Sequence, residues 1–448
     1  MPTSPLHPES VAACRPGSRR WRAGWAAGVL LLLSGASQAL EYGPFSLTGF
    51  AKVDVTRGSN ICSNCQLYPG EDKQRFWADE ILPGATYGTE NSTVTLFQPF
   101  LGANFRLGGG FSLIGLLSQR WRDGEPDKPG YLYEANVALN HEAYGRLTVG
   151  AMTTRGWALA DYPYGSDVGL AEEWSSSGAA YGLLEYPSIR YTAPALDVAG
   201  GDLVLELTYS AGNTDFKINK PQFWEFWGNY RHGNLLLDFI GQYGKNGQPV
   251  AFGQAPFTGL TPFPADDPLL GSSSQSIMML MGRYSIDSNW EVLGGVRANR
   301  WSGAYAVITT PGGSVTSAQW NSMFNVDWGG TRNGVPNPGY EARSTDYLGG
   351  VRYRWGKWIF ASGLTYLGKA STDNPSERGQ SNSATIGTLG ATYDVGWGVN
   401  VYGLVGAVRY GQLGLSPMSM PTNAAFTDVD SRVAKSGNWI TLGAVFVF

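Results

Sequence analysis

From Phe45 to the terminal Phe448, apolar side chains alternate with small or polar ones in segments of about ten residues. In Phe45–Thr56, the residues Phe45, Leu47, Gly49, Ala51, Val53 and Val55 fall on one face, opposite Ser46, Thr48, Lys52, Asp54 and Thr56. The same holds for Leu203, Leu205, Leu207 and Tyr209 against Glu206, Thr208 and Ser210. It holds again for Tyr347, Val351, Tyr353 and Trp355 against Asp346, Arg352 and Arg354. A period of two is that of a β-strand, whose successive side chains point to opposite faces. No apolar run past the N-terminus reaches the roughly 18 residues of a membrane-spanning helix. The expected class is therefore all-β, with one apolar and one hydrophilic face per strand.

Two closed arrangements satisfy such strands: a sandwich with its apolar faces inward, or a barrel with them outward in lipid. The spacing of the breaks favours the barrel. Short breaks recur at Gly108-Gly109-Gly110, Ala143-Tyr144-Gly145, His232-Gly233, Asp287-Ser288-Asn289, Gly356-Lys357 and Gly396-Trp397. Between them lie longer breaks of unequal length, at 57–91, 123–130, 155–185, 212–221, 245–274, 301–343, 369–382 and 412–436. Short turns at one end and long loops at the other describe a transmembrane antiparallel up-and-down β-barrel of the outer-membrane type. Lipid forbids open sheet edges, so the sheet must close. The expected strands are 44–56, 93–107, 110–122, 131–142, 145–154, 186–195, 202–211, 222–232, 234–244, 275–286, 289–300, 344–355, 357–368, 383–395, 398–411 and 437–448, sixteen in all. Tyr209, Tyr243, Tyr284, Trp290, Tyr353, Trp355, Tyr393 and Tyr410 fall near strand ends, where amphipathic rings suit the lipid–water boundary.

Arg15, Arg19, Arg20 and Arg22 precede an apolar stretch, Ala23–Leu33, and the small residues Ala36-Ser37-Gln38-Ala39 follow. This is the layout of a secretory signal peptide over residues 1–39, cut near Ala39, with the barrel over 40–448. Charged residues make up 15% of the chain against a usual ~25%, and no basic patch points to nucleic acid. Cys62 and Cys65 form a C-x-x-C pair, which in an oxidising compartment is expected as a loop disulfide rather than a metal site. An enzyme is not expected: His141-Glu142 has no second His at the H-E-x-x-H spacing, and no G-x-S-x-G elbow occurs. Nothing in the sequence asks for a cofactor.

The layout resembles the Gram-negative general diffusion porins. Three stretches carry the resemblance locally: Tyr144-Gly145-Arg146-Leu147-Thr148-Val149-Gly150, Ser188-Ile189-Arg190-Tyr191-Thr192-Ala193-Pro194, and the closing strand Ile440–Phe448. In that family the first two flank a third loop that folds into the barrel, and here the third long break is 155–185. The resemblance implies outer-membrane location, passive passage of small hydrophilic solutes and ions, assembly as a homotrimer in outer-membrane lipid, and a C-terminal insertion signal ending on Phe448. One departure stands out. The family commonly carries Arg directly after the glycine that ends the first stretch, and this chain has Ala151, with Arg155 the next arginine.

Sixteen strands leave an aqueous channel rather than a filled interior. The proposed constriction loop carries Asp161, Asp167, Glu172 and Glu173. Strand parity places Lys52, Arg106, Arg120, Arg122, Arg190, Arg283, Arg352, Arg354 and Arg409 on the lumen wall. Acids on a loop facing a basic wall would set up a transverse field across the narrowest section. Two other functions remain open at this point: a substrate-specific channel for a sugar or organic acid, with Phe223 and Trp227 turned inward, and a non-conducting surface-interaction barrel working through its 301–343 loop.

Overall fold

The computed structural model describes residues 40–59, 89–126, 132–156, 183–212, 217–218, 220–245, 274–305, 308–310, 313–315, 327–328, 331–332, 335–336, 340–368, 371–372, 384–410 and 436–448. They form sixteen long antiparallel strands: β1 (Phe45–Ser59), β2 (Thr89–Gly108), β3 (Phe111–Ser118), β4 (Glu134–His141), β5 (Gly145–Thr153), β6 (Leu183–Thr192), β7 (Gly201–Ser210) and β8 (Gln222–His232) in the first half. The second half holds β9 (Leu235–Lys245), β10 (Ser274–Ser285), β11 (Trp290–Tyr305), β12 (Tyr340–Trp355), β13 (Trp358–Leu367), β14 (Ala384–Gly396), β15 (Val399–Tyr410) and β16 (Ser436–Val447). Each strand pairs with its sequence neighbours, and β16 pairs with β1, so the sheet closes on itself. All sixteen expected strands are present. The chief differences are at the ends: β2 begins at Thr89, β11 and β12 run on together to Gly303 and Tyr340, and β3 stops at Ser118 where 122 was expected. Polar residues outside the hydrocarbon carry no alternation, so the pattern stops before the ladder does.

The faces follow the alternation. Leu101, Leu207, Phe226, Leu280, Leu364, Leu389 and Leu442 are exposed on the outside of the barrel, which is the surface lipid would cover. Aromatic pairs stand at the strand ends on that face: Trp290–Tyr353 at 4.6 Å, Trp358–Tyr393 at 4.8 Å and Tyr209–Trp224 at 4.4 Å between ring centroids. The short turns lie together at one end. In the Ser285–Trp290 turn, the Asp287 carboxylate accepts the N–H groups of Asn289 and Trp290, each at 2.7 Å. The Trp290 and Asn289 amides hold this carboxyl below its usual pKa.

Closure rests on a tight seam. Gly49 donates to the Phe448 carbonyl at 2.8 Å, and the Phe448 amide donates back to Gly49 at 3.0 Å. A Cβ on Gly49 would come within 2.5 Å of the Gln98 carbonyl and 2.7 Å of the Phe448 ring. The terminal aromatic is thus part of the seam, stacked beside Phe97 and Phe446. Gly49→Val is expected to lower the yield of closed barrel severalfold, read as loss of the heat-modifiable band on a gel. Unchanged yield would show that the seam tolerates a side chain.

Candidate functional site: the lumen wall

Register, not parity alone, decides which inward side chains meet. The β5 ladder is interrupted between Gly150 and Met152, and Gly150 has φ +134°. A Cβ there would stand 2.3 Å from the Ala135 carbonyl, so only glycine fits. An irregularity of this kind bends a strand and re-aims the residues beyond it. Here it delivers Thr153–Gly156 onto the inner wall of β4 and β6–β9.

Three carboxylates receive that segment. Glu134 of β4 accepts the Thr153 amide at 3.0 Å and its hydroxyl at 2.9 Å. Glu206 of β7 takes the Arg155 guanidinium as a fork, with both contacts at 2.7 Å. Glu225 of β8 accepts the backbone amides of Arg155 at 2.7 Å and Gly156 at 3.2 Å, and the Gln242 side-chain amide at 2.7 Å. Arg190 of β6 completes the set, 3.0 Å from Glu206, and donates to the Thr208 hydroxyl and the Thr153 carbonyl. The Arg155 guanidinium also lies over the Trp227 ring, 4.9 Å from its centroid. The cluster holds two guanidinium groups (Arg155, Arg190) and three carboxyl groups (Glu134, Glu206, Glu225).

A second group spans β10–β12. Glu291 lies 3.3 Å from Arg283 and 3.4 Å from Arg352. Arg297, fully buried, is paired with Asp346, whose other oxygen accepts the Gly368 amide at 2.9 Å. A third group joins β1 to β15: Lys52 lies 3.2 Å from Asp54, which also accepts the Tyr402 hydroxyl. Gly443 makes room for it, since a Cβ there would meet Asp54 at 2.3 Å.

The expected wall residues therefore divide. Lys52, Arg190, Arg283 and Arg352 face inward but are matched by carboxylates, Lys52 by Asp54 of its own strand and the three arginines by Glu206 or Glu291 of a neighbouring one. Arg106 and Arg354 face inward near the short-turn end and are exposed. Arg120 is buried beside the Tyr133 ring at 5.9 Å, and Arg122 stands in register with inward Leu96. Arg409 is a correction: it faces outward. It pairs with Thr385, which is in register with Tyr366 and then Tyr347, both exposed on the lipid side. Arg409 sits one residue from the outer end of β15, beyond the hydrocarbon, where polarity no longer dictates the face. The loop residues Asp161, Asp167, Glu172 and Glu173, the pair Cys62 and Cys65, and segment 1–39 lie outside the described residues. Among the described residues no set of His, Cys, Asp or Glu is placed to hold a metal ion.

Part of the inward face is apolar. Phe223, Ile240, Ile277, Met279, Met281, Leu293, Leu348 and Ala361 point inward from β8–β13 and pack together with Tyr133, Met152 and Leu184. The middle of β10 is apolar on both faces, because outward Met278 and Leu280 alternate with inward Ile277, Met279 and Met281. Part of the lumen cross-section is therefore a packed apolar strip. Phe223 and Trp227 do turn inward, as their parity implies; Phe223 is buried in that strip and Trp227 packs against it.

No protein-family model matches the chain, and no curated protein matches it in sequence. Its fold does match solved structures. Outer-membrane OmpT of Vibrio cholerae superposes with a TM-score of 0.53 at 13% identity, covering 92% of this chain and all of that one. The outer membrane channel DcaP of Acinetobacter baumannii gives 0.51 at 10% identity, covering 90% and 97%. OmpF of Salmonella typhi, solved with daunomycin, gives 0.51 at 12% identity, covering 92% and 100%. The chain has the Gram-negative porin fold, a closed outer-membrane-type barrel of sixteen strands.

Proposed function

We propose that this barrel is an outer-membrane channel for passive diffusion of small hydrophilic solutes and ions, without enzymatic activity. The observation that carries this reading is the inward row of charged side chains in a closed barrel whose outward row is apolar across its middle. Charged side chains such as those of Arg155, Glu206, Arg283 and Glu291 are tolerated within a membrane only beside water or matched partners, which the lipid-facing middle of the barrel does not supply. On this reading segment 1–39 is removed on export, Cys62 and Cys65 are bonded, and the protein works as a homotrimer, as the porin resemblance implies.

The proposed constriction sets the loop acids Asp161, Asp167, Glu172 and Glu173 against the wall. Mid-height arginines already paired with carboxylates contribute little net field, so those acids would dominate selectivity. Neutralising Asp161 and Asp167 together is then expected to move the reversal potential in a salt gradient toward anions. No movement would remove the loop from the selectivity mechanism.

A second reading, a solute-specific channel, draws support from the Arg155–Trp227 stack beside the apolar strip. Liposome swelling with neutral sugars of graded size separates the two. A smooth fall of rate with size is expected for a diffusion pore. Saturation by one solute would favour the specific channel, and no swelling would favour a surface-interaction barrel.

A further inference from the structure

Trp227 stands on the inner wall, in register with Glu206 of β7 on one side and Ile240 of β9 on the other. Its ring carries the Arg155 guanidinium and packs against the apolar strip. Its indole N–H reaches β9, where the Asp238 carboxyl accepts it at 3.0 Å. An indole N–H is a donor only, so a partly buried Trp is oriented by the acceptor it finds. Asp238 is fully buried, and the Asn229 side-chain amide donates to the same oxygen at 2.8 Å. Asn229 is held in turn, since its side-chain oxygen accepts from Arg231 at 3.3 Å. The other Asp238 oxygen has no hydrogen-bond partner among the described residues. Unlike Glu206, Glu291 and Asp346, Asp238 belongs to no ion pair among them. All its contacts converge on one oxygen, and two of the three groups in that chain lead toward the loop root.

We propose that Asp238 is a positioning residue for the root of the third long loop: it fixes the Trp227 ring through the indole N–H, and the ring fixes the Arg155 guanidinium. Its bearing on ion passage rests on the channel reading. The Glu206 fork holds Arg155 along one edge of its guanidinium plane. A fork alone leaves that plane free to tilt about the edge, and the ring beneath removes this freedom. Ring tilt is in turn limited by the bond to Asp238, which lies one inward row nearer the short-turn end. A group held this way keeps its geometry only while its supporting contacts are locked. The role needs an acceptor oxygen at Asp238 and does not need its charge.

Three variants of the full-length folded barrel separate these demands. Asp238→Asn keeps one side-chain oxygen for the indole and removes the charge. Asp238→Leu removes the oxygen at similar volume. Trp227→Phe keeps a ring and removes the donor. Hydrogen exchange is followed by mass spectrometry in detergent on the peptide containing residues 153–156, whose Thr153, Arg155 and Gly156 amides donate to Glu134 and Glu225. In Asp238→Leu and Trp227→Phe these amides should exchange about fivefold faster, the scale of one net hydrogen bond. Asp238→Asn should match the parent, and a β15 peptide across the barrel should be unchanged in all three. In a planar bilayer under a salt gradient, the Leu and Phe variants should shift the reversal potential and the Asn variant should not. Parent-like exchange in Trp227→Phe, or equal effects of Asn and Leu at position 238, would overturn the proposal. So would faster exchange with an unmoved reversal potential, or faster exchange in the β15 peptide as well, which marks a general loosening. If Asp238→Leu does not fold, Trp227→Phe decides alone. A parent that carries no current would sink the channel reading, and the exchange comparison would still decide whether Asp238 positions Arg155.

Discussion

Asp346→Ala is expected to weaken the barrel by about 3–5 kcal/mol, because it breaks an ion pair that is buried from water. Arg297 has 0% of its surface exposed and Asp346 1%. The Asp346 carboxylate is the ionic partner of Arg297 on the adjacent strand, and it also ties the Gly368 amide at the end of β13. Removing it takes a carboxylate from both groups in a packed interior, where Met279 stands in register with Arg297 and Leu348 lies two residues along the strand from Asp346. The measurement is a denaturant titration of folded barrel in lipid vesicles, followed by tryptophan fluorescence. A midpoint equal to that of the parent would mean that water reaches Arg297 and that this side of the lumen is wetter than its packing implies. Replacing both partners by Met and Leu should recover most of the loss, since a matched apolar pair is often no worse than a buried ion pair.

Glu206→Gln should produce the second large effect, on stability and selectivity together. Glu206 serves the Arg155 fork, the Arg190 guanidinium and the Thr192 hydroxyl. Its loss leaves two cations facing two carboxylates, Glu134 and Glu225, where there had been three. The expected destabilisation is again about 3–5 kcal/mol, with a shift of reversal potential toward anions. Arg155 would also lose the contact that fixes it over Trp227, so the segment entering the third long loop should become more mobile. A shift in stability with no change in selectivity would show that the cluster lies off the ion path.

Much of this architecture is legible in the residues. Alternation locates all sixteen strands, because lipid on one side and water on the other impose a period of two on each segment. The unequal breaks order the two ends. Face assignment succeeds wherever the strand lies within the hydrocarbon, as at Arg190, Arg283 and Arg352, and fails at Arg409, where the strand has left it. What the sequence does not reveal is which inward residues meet. Glu206, Glu225, Glu291 and Asp346 stand inward by the same parity that placed the arginines, yet their neutralising role depends on register across strands distant in sequence, such as Arg297 with Asp346. Register is set by turn and bulge geometry, and the decisive bulge at Gly150 looks in sequence like any other strand glycine. The apolar strip is hidden for a related reason: Ile277–Met281 is apolar at every position, so it names no face.

Single-channel recording of the purified barrel in a planar bilayer, under a salt gradient, tests the account most directly. A water-lined passage through the closed sheet predicts discrete, long-lived conductance steps, with a reversal potential that moves on Glu206→Gln. A protein that inserts as a heat-modifiable barrel and yet carries no current would contradict it, since the apolar strip would then extend across the whole lumen.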